Sequence, residues 1–355
     1  MLQLNFKKSF RNFDLRLDVE IPDGLVALFG PSGAGKTTAL HAIAGLVTPD
    51  SGEIRHDDLV LFSSEKKTNL PPHRREVGCV FQESRLFPHL SVEKNLSFGF
   101  QATQEHKFSL GEIIEVLQLE NLLSRQPLTC SAGEQQRIAL GRALLASPRC
   151  LLMDEPLAAV DVLERWRILA ALREMHRRHR LPALYVSHDP GTVLNFAEQM
   201  IFIRNGRIEA RGEPLQLFQR FIEDRQRPIV ENTFAAVVHQ HGAGYTEVCV
   251  GDLRLQTPAL KSFSGLSLVV GSKIFLQIPA SEILLATIQP VGLSARNIFS
   301  GHLVRLQPME EVILVEVDVG EKMFVEVLPT TVDSLNLQIG AKVFVIIKAS
   351  GIRRV

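Results

Sequence analysis

Gly30-Pro31-Ser32-Gly33-Ala34-Gly35-Lys36-Thr37 has the spacing of a loop that wraps phosphate. Its glycines let the backbone curl until successive N–H groups point inward, and a helix opening there adds its positive end. Lys36 is placed to bridge β- and γ-phosphates. The Thr37 hydroxyl is placed to hold Mg²⁺, with Thr38 beside it in the same first turn. Later in the chain the apolar run Leu151-Leu152-Met153 ends in Asp154-Glu155-Pro156. Ligands of open α/β sheets gather at the carboxyl ends of strands. Asp154 is therefore expected to hold Mg²⁺ through water, and Glu155 to orient or deprotonate the water that attacks the γ-phosphate. Alone, a Gly-rich turn can merely join a strand to a helix, and two acids at a strand end are ordinarily just solvated. Together the two motifs point to hydrolysis of a nucleoside triphosphate.

These residues need a scaffold, and the hydrophobic pattern supplies one. Leu25–Phe29, Cys150–Met153 and Ala183–Val186 are short apolar runs between turn signals, the pattern of strands buried on both faces. Helical stretches lie at Thr37–Ala44, Ile113–Leu119, Gln135–Leu145 and Val162–His176. Ser109-x-x-Glu112 predicts a capping box, and Asp189-Pro190 an N-cap followed by proline at the first helical position. Asn205-Gly206 between Ile201–Ile203 and Arg207-Ile208 predicts a hairpin. Alternating strands and helices imply a parallel or mixed sheet with helices on both faces.

The 355 residues are 45% apolar, with 39 Lys+Arg against 39 Asp+Glu. That length implies two or three domains, and that apolar fraction excludes wholesale disorder. Zero net charge argues against a dedicated nucleic-acid binder. The basic stretch Arg173–Arg180 is read as a solvated helix end. No apolar run reaches the roughly 18 residues of a bilayer-spanning helix. The opening stretch Met1–Glu20 alternates apolar and polar residues and lacks a signal-peptide core. Cys79, Cys130, Cys150 and Cys249 form no close pairs, so neither a disulfide scaffold nor a CxxC metal site is expected. A cytoplasmic chain is the resulting expectation.

With those elements placed, the chain resembles the ATP-binding subunits of ABC transporters. Gln82, in Val80-Phe81-Gln82-Glu83, matches the family's Q-loop, which contacts Mg²⁺ or water and senses the membrane partner. Ser131-Ala132-Gly133-Glu134-Gln135-Gln136-Arg137 matches its signature, and the following Ile138–Leu144 its helix. Asp161 matches the D-loop, and His188, in Val186-Ser187-His188-Asp189, the switch histidine that contacts the γ-phosphate. The motifs run in the family's order, and the resemblance covers about residues 1–230. It implies an α/β P-loop NTPase domain over 1–231 with a helical subdomain at about 83–148. It further implies a homodimer sandwiching two ATP molecules. Lys36, Thr37, Gln82, Asp154, Glu155 and His188 of one chain then face Ser131 and Gly133 of the other. The implied partners are two integral-membrane permease subunits, which the helical subdomain meets, and indirectly a periplasmic or extracellular solute-binding protein. The location implied is the cytoplasmic face of the inner membrane. The family's adenine-stacking aromatic falls to Phe10 in preference to Phe13. The signature departs from the usual Leu-Ser-Gly-Gly-Gln at Cys130, Ala132 and Glu134. Ala132 adds a Cβ and disfavours positive φ, from which slower turnover is expected. Ser131-x-x-Glu134 predicts a capping box.

Beyond the charged segment around Pro228, read as a linker, period-2 alternation takes over. Val312–Val319 and Met323–Val327 read as a hairpin, and 232–355 as an all-β, OB-like region. The pattern around Gly271–Ile283 recurs 69 residues on at Gly340–Ile352, and Glu247–Gly251 recurs at Glu316–Gly320. A duplicated domain follows, with copies at about 232–288 and 293–355. Ser294-Ala295-Arg296-Asn297 and Ile347-Lys348-Ala349-Ser350 resemble the ends of a molybdate-binding (Mop/TOBE) domain. Arg296 and Lys348 would give charge, and Ser294 and Ser350 hydroxyls, to a tetrahedral dianion, molybdate or tungstate. At the same offset the first copy has Arg225–Pro228 for Ser294–Asn297 and Pro279 for Lys348, so the two sites are expected to be unequal. His239-x-His241 is read as part of a turn rather than as a metal pair.

The function expected is thus the ATP-hydrolysing subunit of a molybdate importer with an oxyanion-sensing C-terminal domain. The alternatives are an importer ATPase for another solute (sugar, polyamine, iron or sulfate) and a soluble oxyanion-binding or storage protein.

Overall fold

The computed structural model describes residues 1–101, 106–157, 160, 162–223, 231–260, 268–309 and 311–354, with backbone only at 101, 162, 163, 166 and 220–223. Asp161 and the linker residues 224–230 lie outside the described residues. The chain divides into two units, Met1–Pro214 and Leu215–Val355. The helices are α1 (Lys36–Ala44), α2 (Val92–Gln101), α3 (Leu110–Val116), α4 (Ala132–Leu145), α5 (Val162–His179), α6 (Pro190–Phe196), α7 (Pro214–Glu223) and α8 (Pro329–Ser334).

In the first unit Leu25–Phe29 is central to a six-stranded sheet. Gln199–Arg204 lies on one side, and Ala183–Ser187, Cys150–Asp154 and Val77–Val80 follow on the other, all parallel. Arg207–Gly212 adds an antiparallel edge through the expected turn, where Asn205 and Gly206 have φ of 48° and 73°. The apolar runs are continuous because successive side chains enter different cores. Val26, Leu28, Leu152, Leu184 and Val186 join one cluster. Leu25, Leu151, Met153, Ala183 and Tyr185 join the other.

Helices do not cover both faces in the way expected. The second cluster packs on α4 and α5, but the first packs on α1 and on a separate antiparallel sheet. That sheet contains Phe13–Ile21, Leu2–Phe10, Ser51–His56, Leu59–Ser63 and Thr68–Asn69. Leu2, Leu4 and Phe6 alternate with less buried neighbours, as befits strands with one face on a core. Arg75, fully buried, closes the far end of α1. Its guanidinium donates to the carbonyls of Ala42 (2.7 Å), Ile43 (2.9 Å) and Leu70 (2.7 Å). A cation there complements the negative end of the helix.

The capping box at α3 is half formed. Ser109 accepts from the Glu112 N–H at 3.1 Å, but the Glu112 carboxylate contacts His179 on α5 at 2.9 Å instead of the cap backbone. Asp189 caps α6 through the Thr192 N–H, with Pro190 at the first position. All four cysteines are free, and burial pushes the Cys79 and Cys150 thiols up to about 12.

After α7, the described residues of the second unit form two five-stranded sheets built from repeated hairpins. The region is not purely β, since α8 interrupts it. Each copy gives its last strand to the other: Ile283–Ala286 pairs with Lys342–Ile347, and Arg353–Arg354 with Lys273–Pro279. Two buried asparagines repeat the exchange. Asn232 donates to the carbonyls of Ile278 (3.1 Å) and Phe324 (2.8 Å) and accepts from the Phe324 N–H (2.7 Å). Asn297 donates to the carbonyls of Ile347 (3.3 Å) and Gln256 (2.9 Å) and accepts from the Gln256 N–H (2.7 Å). Each therefore clamps a strand of the opposite copy.

A buried amide with three such bonds leaves several polar groups unpaired when it is deleted. Asn232→Ala and Asn297→Ala should each lower the unfolding free energy by about 2–3 kcal/mol in urea titrations. A loss of only a few tenths in either would show that the clamps are dispensable.

Candidate functional site

The Gly30–Thr37 loop leaves the end of Leu25–Phe29 and runs directly into α1. Gly33 and Gly35 have φ of 78° and 100°, conformations open mainly to glycine. A Cβ on Gly35 would also lie 2.9 Å from Phe13 and Leu15. The hairpin turn holds the loop from beneath, as the Gly206 N–H donates to the Ala34 carbonyl at 3.1 Å. No side chain caps α1, whereas Ser109, Ser131 and Asp189 cap α3, α4 and α6. The first N–H groups of α1 are therefore left for an anion.

A cavity of about 450 Å³ opens over this helix start, lined by Phe10, Phe13, Ser32, Gly33, Gly35, Lys36, Thr37, Thr38, Gln82, Asp154 and Glu155. Lys36 is buried and curls back, donating to the carbonyls of Gly30 and Pro31 at 2.9 Å each. Burial pulls its ammonium below the usual lysine range, against the opposing pull of Glu155 and Asp154. The Thr37 hydroxyl donates to Asp154 at 3.0 Å. Burial raises the Asp154 carboxyl, and the Thr37 hydrogen bond offsets part of that rise. Glu155 has a φ of 44°, an uncommon backbone state for a non-glycine residue. Its carboxylate meets His188 Nδ1 at 3.0 Å. Both aromatics line the cavity; Phe10 is 47% exposed with the Lys8 ammonium 5.9 Å from its ring centre, while Phe13 packs on the core below.

The remaining expected residues fall elsewhere. Ser131, Ala132, Gly133 and Glu134 do not line this cavity. The capping box at α4 is closed both ways: Ser131 N–H to Glu134 at 2.7 Å, Glu134 N–H to the Ser131 hydroxyl at 3.3 Å. Ala132 is an exposed first helical residue without positive φ, so the expected backbone penalty does not arise. Gly133 is buried, and a Cβ there would lie 2.8 Å from Glu164 on α5.

Ser294, Arg296, Lys348 and Ser350 are all exposed. The register that pairs Asn297 with Ile347 sets Arg296 across from Lys348 at the strand ends. It also corrects the repeat alignment. Asn232 pairs with Ile278 as Asn297 pairs with Ile347, so Asn232, and not Pro228, is the counterpart of Asn297. The hairpin after the first strand is longer in the second copy, which shifts the offset. The first copy therefore has Glu231 and Pro279 where the second has Arg296 and Lys348, and neither is a cation. His239 and His241 lie on the strand Glu231–Gly242, before the turn. His241 is held by Leu268 O at 2.7 Å and Thr246 at 3.1 Å.

Ser84 and Arg165 carried no signal of their own in the sequence, and the signature match did not show what Gln135 and Gln136 would touch. Gln136 donates to the Gln82 carbonyl at 2.7 Å, and Ser84 to Gln135 at 3.1 Å, tying the Q-loop to α4. Arg165 pairs with Asp189 at 3.0 Å, beside His188.

The ABC transporter family model matches residues 14–158 and the TOBE domain model residues 293–353. The chain is 39% identical to the molybdenum import ATP-binding protein ModC of Paramagnetospirillum magneticum, over 100% of this chain and 98% of that protein. It is 38% identical to ModC of Rhodospirillum rubrum, with the same coverage. Among solved structures, the dimeric bacterial ABC transporter cassette MJ0796 aligns at a TM-score of 0.52 and 25% identity, covering 60% of this chain and 99% of that one. The cbiO1 structure from Clostridium perfringens aligns at 0.53 and 23% identity, covering 63% and 93%, and shares the fold.

Because burial raises Asp154, its ionisation costs folded-state stability. That cost is absent below the ordinary carboxylate range and fully present above the raised value. In nucleotide- and magnesium-free protein, Asp154→Asn should therefore melt higher than the parent near neutral pH, with the gain vanishing in acid. A variant that melts lower at neutral pH would contradict the burial argument.

Proposed function

The chain belongs to the molybdenum import ATP-binding proteins of the ABC transporter family, and from that premise we propose how its residues do the work. It is the ATP-hydrolysing subunit of a molybdate importer. The observation that carries this reading is the 39% identity over an alignment that spans the whole chain, the β half included. No helix among the described residues is long and apolar enough to cross a membrane. Its relatives' role as import ATP-binding proteins supports work with separate membrane permease subunits, from the cytoplasmic face.

The phosphates of ATP sit on the uncapped start of α1, among the N–H groups of Gly33–Thr38. Lys36 exchanges the Gly30 and Pro31 carbonyls for phosphate oxygens, which its desolvated ammonium favours. Phe10 offers its exposed face to adenine. The Thr37 hydroxyl, Asp154 carboxylate and Gln82 amide oxygen are hard donors that fit Mg²⁺, which when bound neutralises charge on the phosphates. Glu155 holds the attacking water and takes its proton. His188, hydrogen-bonded to Glu155, sits where it can contact the γ-phosphate. Ser131–Glu134 and Asp161 complete the site of a second copy in a nucleotide-sandwich dimer. The functional halves are 1–231 and 232–355, and the helical segment of about 83–148 meets the permease. The second β copy, with Arg296, Lys348, Ser294 and Ser350, binds molybdate or tungstate and restrains transport when supply is ample.

Two tests follow from this assignment. Glu155→Gln should bind ATP normally and lose turnover by about a hundredfold or more; near-normal hydrolysis would remove Glu155 from its role. Titration calorimetry of the full chain with molybdate should show binding that Arg296→Gln weakens at least about tenfold. An absence of heat, or equal affinity in the variant, would defeat the oxyanion site.

A further inference from the structure

The switch histidine is followed by Asp189, and that carboxylate has two duties. It caps α6, accepting from the Thr192 N–H at 3.1 Å, and it accepts from Arg165 Nη1 at 3.0 Å. Arg165 lies in the first turn of α5 and is only partly exposed. Its other terminal nitrogen, Nη2, donates to the Val160 carbonyl at 3.4 Å. Val160 directly precedes Asp161. One guanidinium therefore spans from the segment before Asp161 to the residue after His188. Arg165 also shares a cavity of about 320 Å³ with Glu155 and His188.

The neighbouring Glu164 faces the other way. It forms an ion pair with Arg137 of α4 and lies against Gly133. The first turn of α5 thus grips the signature helix with one side chain and the switch loop with the next.

We propose that Arg165 is a positioning residue that sets His188 against Glu155 by tying Asp189 to the Val160 carbonyl. Its planar fork reaches both partners at once, which a lysine's point charge cannot do. Loss of the tie leaves the α1 phosphate loop intact, since Arg165 does not line that cavity. The His188 imidazole then samples positions away from Glu155, and the chemical step suffers while ATP binding does not. This inference rests on the assignment of Glu155 and His188 above.

Asp189→Asn isolates the ion pair, because asparagine caps a helix about as well as aspartate. Steady-state ATPase kinetics should be measured for Arg165→Met, Asp189→Asn and the double variant, with Glu155→Gln as reference. Each single variant should lose about ten- to a hundredfold in kcat with KM for ATP within about twofold. The double variant should be no slower than the slower single one, because both break the same tie. Losses that multiply, a KM that rises along with the fall in kcat, or full turnover in Asp189→Asn would overturn the proposal. If Glu155→Gln is inactive while Arg165→Met and Asp189→Asn turn over normally, only the positioning role falls. If Glu155→Gln itself turns over, the site assignment falls first.

Discussion

A helix that begins inside a folded domain leaves its first N–H groups without carbonyl partners, and α1 has no side chain to satisfy them. That unmet demand organises the first unit. The parallel strands Leu25–Phe29, Cys150–Asp154 and Ala183–Ser187 all end on the side where α1 begins, bringing Asp154, Glu155 and His188 to it. The Asn205-Gly206 turn braces the loop from below, and Arg75 satisfies the carbonyls at the opposite end of the helix. With one end saturated and the other open, α1 is oriented for an anion.

The same contrast distinguishes α1 from the signature helix. There Ser131 and Glu134 close their own capping box, so the helix start carries a carboxylate of its own. An ATP molecule presented by a second copy would compete with Glu134 N–H for the Ser131 hydroxyl. Gly133 lies below, against Glu164, where its lack of a side chain lets α4 and α5 approach. Its value in this chain is therefore partly packing. The Gln135 and Gln136 amides join the Q-loop to the same helix. The signature and Gln82 are thus tied into one hydrogen-bonded group.

Much of this was legible in the residues. Apolar runs located the central strands to within a residue or so, and Asn205-Gly206 located its turn, because local chemistry dictates both. The antiparallel sheet is not legible as a layer although Met1–Glu20 shows its alternation plainly, since alternation does not say which core a strand will cover. The repeat was visible, but a constant offset misaligned its leading edge, because a longer hairpin in one copy displaces the register. Strand exchange between copies was out of reach, as pairing partners far apart in sequence leave no local mark. The roles of Arg165 and Arg75, and the contact Gln136 makes, leave no mark in the sequence for a related reason. Their roles come from carbonyls and a carboxylate that only folding brings near.

Phosphates seated on the uncapped start of α1 would be read directly by amide hydrogen exchange. Exchange at Gly33–Thr38 should be compared with and without MgATP in the Glu155→Gln chain. Strong slowing is expected at Gly35, Lys36, Thr37 and Thr38 on binding, with the mid-helix amides of α4 little changed. Unchanged exchange across Gly33–Thr38 under saturating MgATP would contradict phosphate binding there.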